Sequence, residues 1–162
     1  MKLVIDPFDN KSIVEAEKQV RRYQKDFLKK ESEFIRRLKE LGVSVATVGF
    51  ASADYDGLND VLIAETQSGN RAAVIAYGET VGFIEFGTGV KYPEWDGSST
   101  DYTPPKHGTY GKGKGANPKG WWFSTSPGSS RHTYGNPPAE AMLTARNTMI
   151  EQVVQIAKEV WR

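Results

Sequence analysis

Apolar side chains recur in steps of three and four residues over the first quarter of the 162-residue chain, the spacing of one face of an α-helix. Ser12, followed by Glu15, forms a capping-box pattern that predicts the helix start, and Gly42 predicts its end. A continuous helix over residues 13–41 spans about 44 Å, longer than a small sheet covers, so part of it is expected to pack on another subunit. The alternative is a break near residues 29–31, giving two helices on one core. The apolar face comprises Ile13, Ala16, Val20, Tyr23, Phe27, Phe34, Leu38 and Leu41.

The pattern changes to that of β-strands in the middle of the chain. Residues 61–66 and 72–77 are apolar runs that flank the turn-forming residues 67–71, so they predict an antiparallel hairpin. Residues 81–86 form a short apolar stretch whose periodicity fits either a helix or a strand. An earlier strand is suggested by three apolar residues, Val45, Val48 and Phe50.

Residues 88–136 contain nine Gly, five Pro and eight aromatic residues but few aliphatic ones. Aromatic side chains are scarce in disordered segments, so we expect this insertion to be an extended loop or hairpin that orders against a partner. Within it, residues 121–125 and 131–134 surround the turn-forming residues 127–129 and predict a second hairpin. The side chains expected to bind a partner are Trp95, Tyr110, Trp121, Trp122, Phe123 and Tyr134.

A closing helix is predicted from Asn136 as N-cap, with Pro137 and Pro138 in the first turn. Together these elements predict one α+β domain over residues 1–162: a long N-terminal helix and a C-terminal helix packed on a small antiparallel sheet, with residues 88–136 inserted. The apolar face of the closing helix comprises Met142, Leu143, Met149, Ile150, Val153, Ile156, Ala157 and Val160.

Charge is segregated along the chain although the formal net charge is only +1. Residues 11–42 hold ten Lys and Arg against six Asp and Glu, whereas residues 43–87 hold one against six. These regions either meet between neighbouring subunits or pair within one subunit. Basic side chains at near-helical spacing could face DNA phosphates, or could form a solvated face with ion pairs along the helix; they are Lys18, Arg22, Lys25 and Lys29.

Candidate chemistry is sparse. The chain has no Cys and two His residues, His107 and His132, so thiolate chemistry is excluded and a His-based site is poorly supported. Residues 108–115 have phosphate-loop spacing but lack the Ser or Thr that must follow the lysine. Four acidic residues imitate part of a calcium loop without its glycine: Asp54, Asp56, Asp60 and Glu65. We therefore predict no catalytic, metal or cofactor site, and, since no apolar run approaches about 20 residues, no membrane contact.

Residues 81–89, Val-Gly-Phe-Ile-Glu-Phe-Gly-Thr-Gly, resemble the apolar-Glu-Phe-Gly-Thr segment of siphophage neck and tail-completion proteins. The order of that family continues here: a long first helix, strands, this motif, a Gly- and aromatic-rich insertion, a Trp-containing strand, Thr-Tyr-Gly-Asn-Pro-Pro at residues 133–138, and a closing helix. The resemblance extends from about residue 12 to the end. It departs at residues 139–142, where the family commonly has Pro-Phe. The motif residues are Glu85, Phe86, Gly87, Thr88 and Gly89.

The resemblance implies a structural virion protein that forms a homo-oligomeric ring and joins tail to head. Its implied partners are a head-closure or portal-side protein and the tail terminator or tail-tube proteins, with passive contact to DNA, after assembly in the host cytoplasm. The alternative is a nucleic-acid-binding module that does not read sequence. Within the motif, Ile84 and Phe86 are expected to point inward. We expect Glu85 to accept hydrogen bonds from backbone amides of its own turn or of the next subunit, the alternative being an exposed strand-edge carboxylate.

Overall fold

The computed structural model describes residues 5–55, 57–88 and 119–162 and confirms an α+β protein with a long N-terminal and a C-terminal helix. The strands in these ranges form two antiparallel two-stranded sheets rather than one. The elements are α1 Asn10–Ala51, β1 Leu62–Ser68, β2 Arg71–Tyr77, α2 Val81–Phe86, β3 Trp121–Ser126, β4 Ser129–Thr133 and α3 Ala141–Val160.

α1 begins earlier than its sequence signal predicts. Asp9 is the N-cap, and its carboxylate accepts a hydrogen bond from the backbone N–H of Lys11 at 3.0 Å. The Ser12 hydroxyl instead accepts from the N–H of Asp6 at 2.8 Å, so the predicted capping box is wrong. The helix runs through residues 29–31 without a break, which excludes the two-helix alternative.

α1 also ends later than predicted, because Gly42 is a packing residue and not a helix stop. A Cβ atom at Gly42 would lie 2.6 Å from Met149 Sδ and 3.1 Å from Val74 Cγ2. The glycine therefore lets α1 approach both α3 and β2. The helix continues to Ala51, about 63 Å in all, so the strand predicted around Val45, Val48 and Phe50 is wrong.

α3 packs antiparallel against the C-terminal half of α1. Gly49 meets Ala141 at one end, where a Cβ on the glycine would lie 2.7 Å from the alanine Cβ. At the other end the ring of Phe34 lies 5.3 Å from that of Trp161. Small residues make this close approach possible. Ile150, which was predicted on the apolar face of α3, is instead exposed. The buried residues of α3 are Ala141, Leu143, Ala145 and Val160.

Both predicted hairpins are confirmed. β1 and β2 pair from Leu62 opposite Tyr77 to Ser68 opposite Arg71, and a two-residue turn joins them. β3 and β4 pair with a register shift near the turn. The first hairpin lies on α1. The central core cluster contains Phe50, Ile84 and Ala141, with Ile63 and Ala76 packed against it.

Candidate assembly site

Asp60 accepts hydrogen bonds from the two residues that directly precede α2. Its carboxylate accepts hydrogen bonds from the backbone N–H groups of Glu79 at 2.7 Å and Thr80 at 2.9 Å, and from the Thr80 hydroxyl. The hydrogen bond from the Thr80 hydroxyl, followed in size by those from the two N–H groups, holds the pKa of Asp60 below its ordinary value. Because the folded-state pKa is lowered, this stabilisation is present above about pH 4 and is lost as the pH falls through the folded-state pKa.

Glu85 is buried and caps α3. Its side chain is 3% exposed, and its carboxylate accepts hydrogen bonds from the N–H groups of Met142 at 3.0 and 3.2 Å and of Leu143 at 3.2 Å. These first-turn N–H groups have no acceptor within their own helix, and a negative charge is favourable there. Glu140, directly before α3, makes no capping bond with its side chain. The hydrogen-bonding role expected for Glu85 is confirmed, but its partner is a distant helix of the same chain.

Asn136 pairs with Thr88 and does not cap α3. The two residues exchange backbone hydrogen bonds of 3.0 and 3.1 Å, and the Thr88 hydroxyl donates to the Asn136 side-chain oxygen. The Asn136 amide also donates to the carbonyl of Phe83 at 3.0 Å. α3 begins at Ala141, so the cap predicted at Asn136 is wrong: this side chain is already committed to the motif segment.

Gly87 allows the motif segment to touch the chain that enters α3. Its backbone angles, φ 71° and ψ 169°, lie in a region that essentially only glycine adopts. A Cβ atom there would lie 2.7 Å from the backbone nitrogen of Pro138 and 2.8 Å from the carbonyl oxygen of Asn136. A side chain at this position would therefore be strained both by its backbone angles and by the backbone atoms it meets. Phe86 is half-buried, and Gly89 lies outside the described residues.

These contacts make residues 80–88 and 136–143 one unit, which we call the Glu85 junction. Ile84 is fully buried against Phe50 of α1 and Ala141 of α3. Its carbonyl accepts a hydrogen bond from the N–H of Ala139 at 2.9 Å. The junction therefore fixes α1, α2 and α3 relative to one another.

The N-terminal half of α1 extends past the end of α3. Trp161, the residue after α3, lies with its ring 6.3 Å from that of Phe27. Residues 13–29 are all exposed except Ala16. This half thus presents part of the predicted apolar face to solvent. We call its exposed members, Ile13, Val20, Tyr23 and Phe27, the apolar stripe; Ala16 lies on the same side of the helix but is buried.

The second hairpin presents an exposed aromatic face. The ring of Trp122 meets that of His132 edge-on at 5.2 Å, and His132 meets Tyr134 in the same way at 5.0 Å. Trp122 is 66% exposed and Tyr134 is 53% exposed. We call these three side chains the aromatic face. Of the other predicted partner-binding residues, Trp121 and Phe123 are half-buried, and Trp95 and Tyr110 lie outside the described residues.

Some of the segregated charges pair within the chain. Lys39 of α1 lies 2.8 Å from Glu65 of β1, and Arg37 lies 3.3 Å from Glu159 of α3. Along α1, Arg36 and then Arg37 lower the pKa of Glu33 to about 2. Among the described residues, the Lys39–Glu65 pair is the one ion pair that joins the basic and acidic regions within a chain.

The remaining sequence-predicted groups that the structure describes lie apart from one another. In residues 5–55, 57–88 and 119–162, no group of three or more His, Asp or Glu side chains could hold a metal ion. Asp60 and Glu65 of the calcium-loop pattern are engaged separately, while Asp56, His107 and residues 108–115 lie outside the described residues. No helix in the described ranges is long and apolar enough to cross a membrane.

Sequence reasoning identified Glu85 and Gly87 but missed Asp60 and Thr88 as parts of the junction. Their partners lie 20 and 48 residues away, and no local pattern marks such contacts. Comparisons with protein-family models, curated proteins and solved structures gave no match to this chain.

Proposed function

We propose that this chain is a structural assembly protein of a tailed-phage virion, a neck or tail-completion component that oligomerises as a ring and joins tail to head. The observation that carries the proposal is the apolar stripe of α1, which lies in solvent beyond the end of α3. Assembly is binding alone, so this role requires complementary surfaces and no catalytic group.

The exposed half of α1 is poorly suited to stand alone. Residues 10–26 extend about 25 Å beyond the ring of Trp161, and helices in proteins are stabilised mostly by tertiary packing of their apolar face. Burial of each large apolar side chain contributes about 1.5–3 kcal/mol. A second copy would bury this surface against its own apolar stripe. The stripe also continues the existing contact between α1 and α3.

The aromatic face supports a second, different contact. Exposed Trp and Tyr side chains frequently dominate the binding energy of protein interfaces. The hairpin that carries them leads through Tyr134 and Gly135 into Asn136 of the Glu85 junction. One chain thus presents a self-association surface and a surface for a neighbouring virion protein.

The resemblance of residues 81–89 to the neck and tail-completion family supports this particular kind of assembly. The motif lies at the junction, where Glu85 and Gly87 hold the motif segment against the start of α3. A motif of this kind preserves the geometry within one subunit and has no need to touch a partner itself.

Val20→Asp is expected to abolish self-association. The substitution places a charge in the middle of the apolar stripe, where burial against another copy would leave it unpaired. Light scattering at rising protein concentration should give an average mass above the 18.0 kDa of one chain for the unsubstituted protein, and a mass near 18.0 kDa for the variant.

Val14→Asp is the matched control. Val14 and Val20 are both 44% exposed and lie on the same helix, but they point about 120° apart. The two variants therefore change charge and helix propensity equally. Equal masses for both variants, or a single-chain mass for the unsubstituted protein at every concentration, would contradict the proposal.

Trp122→Ala is expected to block head–tail joining while the chain still folds and self-associates. Loss of an interface anchor typically costs on the order of 2 kcal/mol of binding, and the exposed side chain contributes little to the core. In a phage whose copy of this gene carries a stop codon, electron microscopy should show separate heads and tails. The unsubstituted chain supplied from a plasmid should restore joined particles, and Trp122→Ala should not.

Ser124→Ala tests whether shortening any exposed side chain of β3 blocks head–tail joining. Ser124 is exposed on the same strand, two residues further on, so it lies on the same side of the hairpin. It should restore joining fully. Joined particles without the chain would refute the assembly role, whereas restoration by Trp122→Ala would refute only the part assigned to the aromatic face.

A further inference from the structure

The basic residues of α1 fall into two groups that the sequence does not separate. One group forms ion pairs with carboxylates along α1 or on packed elements, at 2.5–3.8 Å: Arg21, Lys30, Arg36, Arg37 and Lys39. The other group has no carboxylate within 4.0 Å in the part of the chain that the structure describes. We call four of its members the basic stripe: Lys18, Arg22, Lys25 and Lys29.

The basic stripe is a straight row on one side of the helix. Steps of four, three and four residues place its members within an arc of about 60° at 3.6 residues per turn, over about 17 Å of helix length. Its four residues are exposed. The centre of the row lies roughly opposite the apolar stripe on the helix circumference. A copy docked on the apolar stripe would therefore leave the basic stripe accessible.

The basic stripe destabilises α1. Lys18 and Arg22, Arg22 and Lys25, and Lys25 and Lys29 are like-charged pairs at the spacings where side chains meet, and such pairs destabilise a helix. Of the other cations of α1, all but Lys11 are paired with a carboxylate of the described residues within 4.0 Å. A row of uncompensated charges on a rigid, exposed helix points to an anion supplied from outside the chain.

We propose that the basic stripe binds the sugar-phosphate backbone of a nucleic-acid duplex without reading its sequence. A duplex carries one negative charge per 1.7 Å of axis, so about 17 Å of it offers roughly ten phosphates to four cations. The stripe is straight, as a short length of duplex is. This binding does not depend on the assembly role, because the two surfaces lie on different sides of α1.

Two other polyanions fit the stripe less well. An unstacked single strand is usually held by aromatic side chains placed among the cations, but Tyr23 and Phe27 lie on the opposite side of the helix. A helix bound to an anionic membrane inserts its apolar side into the lipid. That orientation turns the basic stripe away from the surface.

The test is the salt dependence of binding to a fluorescent mixed-sequence duplex, followed by anisotropy at micromolar to millimolar protein. Four phosphate contacts predict a slope of log association constant against log salt of about −3.6 per bound chain. The double variant Lys25→Gln/Lys29→Gln should reduce the magnitude of the slope by about 1.8. A duplex of unrelated sequence should bind within twofold of the first.

Arg21→Gln/Lys30→Gln is the control with the same change in net charge. Both residues belong to α1 but pair with Glu17 and Asp26, so this variant should keep the slope of the unsubstituted chain. Equal losses in both double variants would show that only net charge matters and would overturn the assignment. A slope near zero, tighter binding to a single strand of equal length, or stronger binding to phosphatidylserine vesicles would also overturn it.

Discussion

Gly87→Ala is expected to lower the free energy of unfolding by about 2–6 kcal/mol. Forcing a side chain into the backbone region occupied by Gly87 costs about 1–3 kcal/mol, and overpacking costs about 1–3 kcal/mol more. The atoms in the way, Pro138 N and Asn136 O, belong to backbone and cannot rotate aside. Urea unfolding followed by far-UV circular dichroism measures the loss, at a protein concentration where single chains dominate.

Gly69→Ala separates the two causes. Gly69 also has a positive φ, 58°, but a Cβ atom there meets nothing within 4 Å. Its substitution should cost only about 1 kcal/mol, the ordinary penalty of a left-handed residue. If Gly69→Ala and Gly87→Ala cost the same, the close approach within the Glu85 junction contributes nothing, and the junction is looser than its geometry indicates.

Glu85→Ala is expected to cost about 3 kcal/mol of folding stability. The substitution removes the charged acceptor of the Met142 and Leu143 N–H groups and leaves them buried without it, and capping and charge-assisted hydrogen bonds are worth about 0.5–2 and 1.5–3 kcal/mol respectively. Glu85→Gln keeps the shape and one acceptor oxygen, so its cost should be about half as large. Chemical denaturation again gives the difference, and the helical circular dichroism signal reports whether α3 is frayed.

Glu79→Ala is the matched control for Glu85→Ala. Glu79 lies in the same segment and is also acidic, but its side chain is exposed, so its loss should change stability by less than about 0.5 kcal/mol. Equal costs at the two positions would mean that the carboxylate of Glu85 does not stabilise the first turn of α3.

The sequence predicts the hairpins well because their signals are local. Gly69 and Asn70 form a two-residue turn between two β-prone runs. The residues that pair between β1 and β2 are therefore close in sequence. The same holds for the turn at Pro127 and Gly128. Nothing distant needs to be known to pair such strands.

The end of α1 was predicted wrongly because a glycine such as Gly42 can have either of two structural roles. At a helix terminus a glycine relieves backbone strain, whereas inside a helix it removes a side chain where another element approaches. The structure shows the second, since Met149 and Val74 occupy the space of a Cβ atom. Choosing between the meanings requires the position of α3, which comes from the other end of the chain.

The start of α3 was predicted wrongly for a similar reason. Asn136 before two prolines is a strong local cap signal, but its polar groups bond Thr88 and Phe83. The cap comes from Glu85, 57 residues before Met142. Sequence alone indicated that a carboxylate among apolar neighbours needs hydrogen-bond donors, but it did not identify which donors.

The exposed half of α1 followed from length alone, since a helix predicted to be longer than its sheet must leave part of itself uncovered. The basic stripe was only partly predictable. Spacing placed Lys18, Arg22, Lys25 and Lys29 on one side of a helix, but which cations of α1 are neutralised depends on side-chain geometry.

The single unbroken span of α1 makes it a lever. Its fulcrum is the contact of Phe27 with Trp161 at the end of α3, and its free tip is near Asn10. A tilt of a few degrees there carries the tip through about one to two ångströms, because the free arm is about 25 Å long. The spacing between copies joined through this arm would then depend on how two aromatic side chains pack at the end of α3.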